Sequence, residues 1–286
     1  MIDLHVHTIY SDGEYTPLEI LELCKKRSVS TVAITDHNSM EGAKLAIANN
    51  PHTDITVISG IELSAKYPIK SANLHILGYD IDLYNQALNS VTNAVMADNI
   101  MRLESLVQLL KEHYNISFKD CDLQRVYESV GNIGRPDIAR LCVEYGYTHT
   151  VHEAFDKYLN PLDDKIRKRR VEFTDKSCIE YIKAAGGIPC LAHPIELKKD
   201  IDDLKAYIRQ LASYGLEAVE VYQSKHSKNY TKQLLNIVEE FGLLYSVGSD
   251  YHGPLVSPNA ELGFGNNHNL HIETSSILSK FRGEKL

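Results

Sequence analysis

Several short stretches of this chain crowd histidine and carboxylate side chains together, beginning with LHVHTIYSDG near the start. His5 and His7 lie two apart there, so on an extended strand they share one face, and Asp12 follows on the next loop. Asp36 and His37 close AITDH, Glu62 stands in SGIE, His75 in LHILGY, His193 in LAHP, and Asp250 and His252 in GSDYH. Each pattern alone is ordinary. A lone H-x-H or D-x-H is more often a core or surface histidine, and an isolated D-G is a turn. The coincidence is not ordinary, because six of the 13 histidines and several carboxylates recur at one end of successive strand patterns. Imidazole and carboxylate gathered in this way are donors for metal ions.

Nine residues, His5, His7, Asp12, His37, Glu62, His75, His193, Asp250 and His252, are too many for one ion that takes about four to six ligands. If Glu62 bridges two ions, the set suffices for three, each with three or four protein ligands and an open position. Three divalent ions would bring a charge of +6 against −3 from Asp12, Glu62 and Asp250. The balance matches a phosphate dianion plus one hydroxide, and so favours a phosphoester over a neutral amide.

The elements that must position these residues alternate between strand and helix. Strands are expected at 2–6, 31–35, 55–59 and 74–79, with helices at 17–27, entered through Thr16 and Pro17, and at 39–48. From about 84 to 170 only helical patterns occur. The alternation then resumes with a helix capped by Thr174, strands at 188–192, 217–222 and 244–247, and helices at 201–214 and 229–241. The expected fold is α/β, a barrel of about seven βα units interrupted once by a helical insertion. The expected parts are 1–83 and 171–286 for the barrel and 84–170 for the insertion. In such a barrel the C-terminal strand ends face one mouth, where distant ligands can converge.

Of the 286 residues, 43% are hydrophobic and 24% charged, enough for a sizeable core. The net charge of −8 argues against a surface that coats nucleic acid, and double-stranded nucleic acid is not an expected partner. The opening MIDLHVH is neither basic nor apolar, and no apolar run approaches about 18 residues, so no membrane association and a cytoplasmic location are expected. Cys24, Cys121, Cys142, Cys178 and Cys190 form no C-x-x-C pair and read as reduced thiols.

HVHTIYSDG, ITDHN, GIELS, the isolated His75, AHP and GSDYHG, in this order, resemble the PHP (polymerase and histidinol phosphatase) family of metal-dependent phosphoesterases. The resemblance implies a distorted seven-stranded, TIM-like (β/α) barrel. GRPDIA, EVYQSKHS and the insertion's length most resemble the stand-alone branch that acts on nucleoside 3′,5′-bisphosphates or trims short RNA from its 5′ end. It implies a trinuclear centre: His5, His7, Glu62 and Asp250 on one ion, Glu62, His75 and His193 on a second, and Asp12, His37 and His252 on a third. Asp36 is then left to orient a ligand histidine. The resemblance further implies that Glu62, His193 and Asp250 would carry the reaction, with a water bridging two ions expected to attack phosphorus in line. Histidine with carboxylate suits two to three ions of manganese, iron or zinc. Outside the metal set the chain departs from the branch, with Asp137 in place of a common histidine and Ile195, Glu196, Leu197 and Lys198 where an arginine commonly follows A-H-P.

The insertion is expected to select the substrate, a small phosphorylated nucleotide or short RNA. Arg135 is the first candidate for phosphate contact, because a guanidinium holds two oxygens at once; the bland reading is a solvated arginine at a helix start. Lys225 and His226 follow a strand and reach the same rim. The basic run 165–170 (KIRKRR) reads as a solvated connector sooner than a second phosphate site. Tyr127, Tyr145, Tyr147 and Tyr158 read as packing residues, and His149, His152, His268 and His271 as incidental. Two other readings share the motifs: a histidinol-phosphate-type or other small-molecule phosphomonoesterase, and a non-catalytic metal-binding module. The second predicts gaps in the ligand set, and the sequence shows none. No obligatory protein partner is expected.

Overall fold

The computed structural model describes residues 1–69, 72–128, 133–169, 171–270, 272–273 and 275–281. Seven strands follow one another in sequential order in one sheet: β1 (Ile2–Val6), β2 (Thr31–Ile34), β3 (Thr56–Ala65), β4 (Leu74–Tyr79), β5 (Ile188–Leu191), β6 (Ala218–Gln223) and β7 (Leu244–Gly248). β1, β2, β4 and β5 are almost wholly buried, the pattern of strands covered on both faces. The last strand returns to the first. The Asp250 N–H donates to the His5 carbonyl at 2.9 Å, the His7 N–H donates to the Tyr251 carbonyl at 2.9 Å, and Val6 and Tyr251 form a parallel bridge. The result is a nearly closed, distorted seven-stranded barrel.

One strand corrects the expected run of parallel units. β4 is antiparallel to both β3 and β5, whereas the other neighbours run parallel. The connection 66–73 is only eight residues long, and a parallel return needs a crossover of about a dozen residues or more, so the chain doubles back. β3 also runs on to Ala65, well past 59, and Glu62 therefore lies inside a strand. The reversal sets His75, near the start of β4, opposite Ser64 at the same end of the barrel as Glu62.

The helices end where their local chemistry dictates. α1 (Pro17–Lys26) begins with a capping box, Thr16 N–H to Glu19 Oε2 at 2.8 Å and Glu19 N–H to Thr16 Oγ1 at 3.3 Å, and buries Ile20, Leu21 and Cys24. α2 (Glu41–Ala48) follows β2. The chain divides into two compact units, Met1–Ser90 with Phe173–Leu286, and Val91–Glu172. The second unit takes up most of α3 (Gln86–Tyr114), together with α4 (Asp120–Tyr127), α5 (Arg135–Glu144) and α6 (Val151–Ala154), then a π turn and a 3-10 turn. Leu103, Leu106 and Leu110, at helical spacing, join Ile138, Leu141, Cys142, Leu159 and Leu162 in its own core. Tyr127, Tyr147 and Tyr158 pack against that core.

In the first unit, α7 (Asp175–Ala184), α8 (Ile201–Tyr214) and α9 (Lys228–Phe241) start at Thr174, Asp200 and Ser227, each accepting from a backbone N–H. A short hairpin, β8 (Ala260–Glu261) with β9 (Gly265–Asn266), and α10 (Ser276–Phe281) follow β7. Cys24, Cys142, Cys178 and Cys190 are buried free thiols and Cys121 is exposed. No helix among the described residues is long and apolar enough to cross a membrane.

Candidate metal centre

Glu62 is the hub. It is fully buried, and its two oxygens face different sets of histidines. Oε1 lies 3.0 Å from His75 Nδ1, 3.0 Å from His193 Nε2 and 3.4 Å from His5 Nε2; Oε2 lies 2.9 Å from His37 Nδ1 and 3.3 Å from His7 Nε2. Asp250 Oδ1 stands 3.5 Å from both His5 Nε2 and His7 Nε2. Asp12 reaches His252 Nε2 at 3.2 Å, His7 Nδ1 at 3.6 Å and His37 Nε2 at 3.9 Å. All nine residues singled out in the sequence thus meet at one end of the barrel.

Their donor atoms form four overlapping groups, each within 4.8 Å: His7, Asp12, His37 and His252; His5, His7 and Asp250; His5, Glu62 and His193; and His37, Glu62 and His75. The contacts are those of converging ligands. His5 Nε2 and His7 Nε2 are 3.1 Å apart, and His75 Nδ1 and His193 Nε2 3.2 Å. Two nitrogens on one ion at about 2.1 Å would sit about 3.0–3.4 Å apart. Buried Glu62 Oε2 and His37 Nδ1 approach each other but make no aligned hydrogen bond, which leaves lone pairs unmatched inside the protein. Nitrogen and oxygen donors without cysteine suit divalent ions, and the residues fit them.

The electrostatics ask for positive charge at this place. Burial alone would raise the Glu62 carboxyl, yet His37, His75 and His5 hold it well below the ordinary range. Asp250 and Asp12 are lowered in the same way, against burial, by the surrounding histidines. Burial would depress His7, but its bonds to Asp250 and Glu62 lift it to about 10. Against the same penalty His5 is raised by Glu220, Glu62 and Asp250, and His193 by Glu62, Asp250 and Glu196. His75 is lowered, mainly by burial, with His37 and His193 adding to it. Protons gather where cations belong, and ions would let the imidazoles remain neutral ligands.

Backbone shape helps to aim the ligands. His193 (φ 24°) and Asp250 (φ 56°) both take left-handed conformations that are uncommon for side-chain-bearing residues. Gly248 is required by close approach: a Cβ there would lie 2.2 Å from His5 Cβ and 2.6 Å from Glu220 Oε1.

Around the ligands stand groups that orient them. Asp36 accepts from Thr8 N–H, Thr8 Oγ1 and Ser11 Oγ, each at 2.7 Å, and Ser11 Oγ lies 3.2 Å from His7 Nδ1. Its influence on a ligand therefore passes through Ser11. Gly42 makes room for it, since a Cβ there would come within 2.1 Å of Asp36 Oδ2. Sequence reasoning missed Glu220. This fully buried carboxylate takes His5 Nδ1 at 2.9 Å on one oxygen and the His193 N–H at 2.7 Å on the other. The signal was present: EAVEVY places an acidic residue within an otherwise buried strand.

The three substrate candidates fare differently. Lys225 Nζ pairs with Glu196 Oε1 and lies 3.8 Å from Asp250 Oδ2, beside the cluster. His226 is buried, with Nδ1–H donating to the Val221 carbonyl at 2.9 Å and its ring against Tyr230. Arg135 belongs to the helical unit, where it pairs with Asp163 Oδ1 at 2.8 Å and lies over the Phe155 ring. Within the run 165–170, residues 165, 168 and 169 are exposed, while Arg170, like His271, lies outside the described residues.

A family model described as the PHP domain matches residues 3–173. A 5′-3′ exoribonuclease of Haemophilus influenzae is 26% identical over 258 residues, covering 88% of this chain and 90% of that protein. A 3′,5′-nucleoside bisphosphate phosphatase of Chromobacterium violaceum is 27% identical over 254 residues, 88% of this chain and 87% of that one. Among solved structures, one from Bifidobacterium adolescentis described as a metal-dependent phosphoesterase has a TM-score of 0.74 at 25% identity, covering 94% of this chain and 93% of that one.

Proposed function

Because the chain belongs to the PHP-domain family of metal-dependent phosphoesterases, hydrolases of phosphoric esters, we propose that its substrate is a small nucleotide, either a nucleoside 3′,5′-bisphosphate or a short 5′-phosphorylated RNA. The observation that carries the metal chemistry is Glu62, with one oxygen turned to His5, His75 and His193 and the other to His7 and His37. That arrangement supports a shared carboxylate within a centre of two to three ions of manganese, iron or zinc. His5, His7, Glu62 and Asp250 would hold one, Glu62, His75 and His193 a second, and Asp12, His37 and His252 a third. When bound, such ions lower the pKa of water and neutralise phosphate oxygens.

The chain's own residues supply the rest. Glu220, by taking His5 Nδ1–H, turns His5 Nε2 toward Glu62 and Asp250, and by bonding the His193 N–H it fixes the turn that aims His193. Asp36 steadies the loop bearing Ser11, and through it His7. Lys225, beside Asp250, would meet a phosphate oxygen as a point charge, exchanging its bond to Glu196 for one to substrate. Arg135 remains a proposed second contact. The nucleotide reading draws on the two relatives named above, whose activities differ from each other.

The test is phosphate or mononucleotide release from a panel of nucleoside 3′,5′-bisphosphates, short 5′-phosphorylated RNAs, histidinol phosphate and simple phosphomonoesters, with and without added manganese. The expected result is metal-dependent turnover with kcat/KM highest on a nucleotide. Histidinol phosphate hydrolysed faster than every nucleotide would overturn the substrate reading and leave the phosphoesterase intact.

A further inference from the structure

Not all nine ligand residues are held alike. His5, Glu62 and His75 sit within strands, where the sheet's ladder fixes them, but Asp12 and His252 sit on loops. A carboxylate outside the ligand set joins those two loops. Glu14, two residues after Asp12, accepts at Oε1 from the backbone N–H groups of Leu255 at 2.6 Å and Val256 at 2.7 Å. Its own N–H donates to the His252 carbonyl at 2.9 Å.

The fit is close. Gly253 holds φ at +105°, and a Cβ there would come within 2.7 Å of Glu14 Cβ and Cδ. The loop has little apolar anchorage at its tip, since Leu255 is 87% exposed and Val256 47%. Besides the Glu14 bonds, it is braced by its own Ser257 N–H to Gly253 carbonyl bond at 2.8 Å. Charged acceptors make the stronger bonds to backbone N–H groups, so Glu14 contributes most where the loop has least else.

We propose that Glu14 is a positioning residue that clasps the loop after Asp12 to the loop after His252 and thereby holds Asp12 and His252 in register for a shared divalent ion. This rests on the reading that an ion is held there, where Asp12 Oδ1 and His252 Nε2 stand 3.2 Å apart. Without the Glu14 side-chain bonds the Glu14 N–H to His252 carbonyl bond still joins the two loops, but the second loop loses its anchorage at Leu255 and Val256, and the ion that Asp12 and His252 share is the one most weakened.

Hydrogen exchange on the metal-free protein and equilibrium dialysis against manganese(II) test this in wild type, Glu14→Ala, Glu14→Gln and, as reference, Asp12→Asn. The Leu255 and Val256 amides should exchange faster in Glu14→Ala than in wild type. The last manganese bound should be weakened about tenfold, moving the isotherm toward that of Asp12→Asn while the earlier ions bind unchanged. Glu14→Gln, which keeps an acceptor oxygen without the charge, should fall between. Amides as protected in Glu14→Ala as in wild type, an unaltered isotherm, or uniform weakening of every ion would each overturn the clasp. If wild type and Asp12→Asn bind the same number of ions, the three-ion reading fails and the clasp's role with it. If they differ by one ion and Glu14→Ala matches wild type, the clasp alone fails.

Discussion

Glu62 and Arg135 are both charges singled out for function, and they live in opposite electrostatic settings. Glu62 has no exposed surface and faces five histidines, of which His5 is held from behind by Glu220 and His7 by Ser11. Arg135, about a third exposed, faces one half-exposed aspartate across 2.8 Å and one aromatic ring. A buried cluster cannot shed its charge to water, so its geometry must answer to ions that neutralise it. A surface pair is screened and easily exchanged. The barrel's charges are therefore committed to one chemistry, while Arg135 holds only an exchangeable surface pair.

Substitutions can sharpen that contrast. Glu62→Gln should cost the most, lowering kcat/KM on the order of 10³-fold, because several kcal/mol of charge stabilisation would depend on the ions proposed to share it; metal content measured beside kinetics should fall together with rate. Glu220→Gln keeps the shape and removes the charge behind His5, and should weaken metal affinity about tenfold in a competition titration with a chelating dye. Lys225→Met should lower kcat/KM about tenfold while metal content stays at the wild-type level. Arg135→Ala should change unfolding free energy by less than about 1 kcal/mol in a denaturant titration. Its effect should appear as a raised KM for nucleotide, with simple phosphomonoesters unaffected.

The buried cluster should also respond to pH. In the metal-free protein His7 keeps its proton up to about pH 10, so near neutrality an entering ion must displace that proton. Metal affinity should then fall as pH falls, and calorimetry in buffers of differing ionisation enthalpy should register net proton release on binding. Binding without proton release would show that the carboxylates had not drawn protons into the site.

The sequence exposed the parts of this arrangement that are local. His5 and His7 on a period-2 strand, Asp12 on the following loop, and Asp250 and His252 two apart could all be read from spacing, as could the caps at Thr16 and Thr174. What stayed hidden was set by long-range partners. Glu220 looks like one polar residue in an ordinary strand, and its meaning comes from His5, 215 positions away. Asp36 was expected to orient a ligand histidine, but its bond to Ser11, which lies beside His7, could not be read from the sequence. The reversal of β4 follows from a connection too short for a crossover, a signal overlooked because the surrounding rhythm was parallel. Gly42 and Gly248 matter through the atoms that they lack, which only packing can reveal.

The most direct test is anomalous diffraction from crystals soaked in manganese(II), because it asks where the ions lie relative to Glu62. At least two peaks are expected, one within bonding distance of each Glu62 oxygen, and with three ions bound the third lies at Asp12, His37 and His252. A single peak away from Glu62, or ions bound only elsewhere on the chain, would contradict the account.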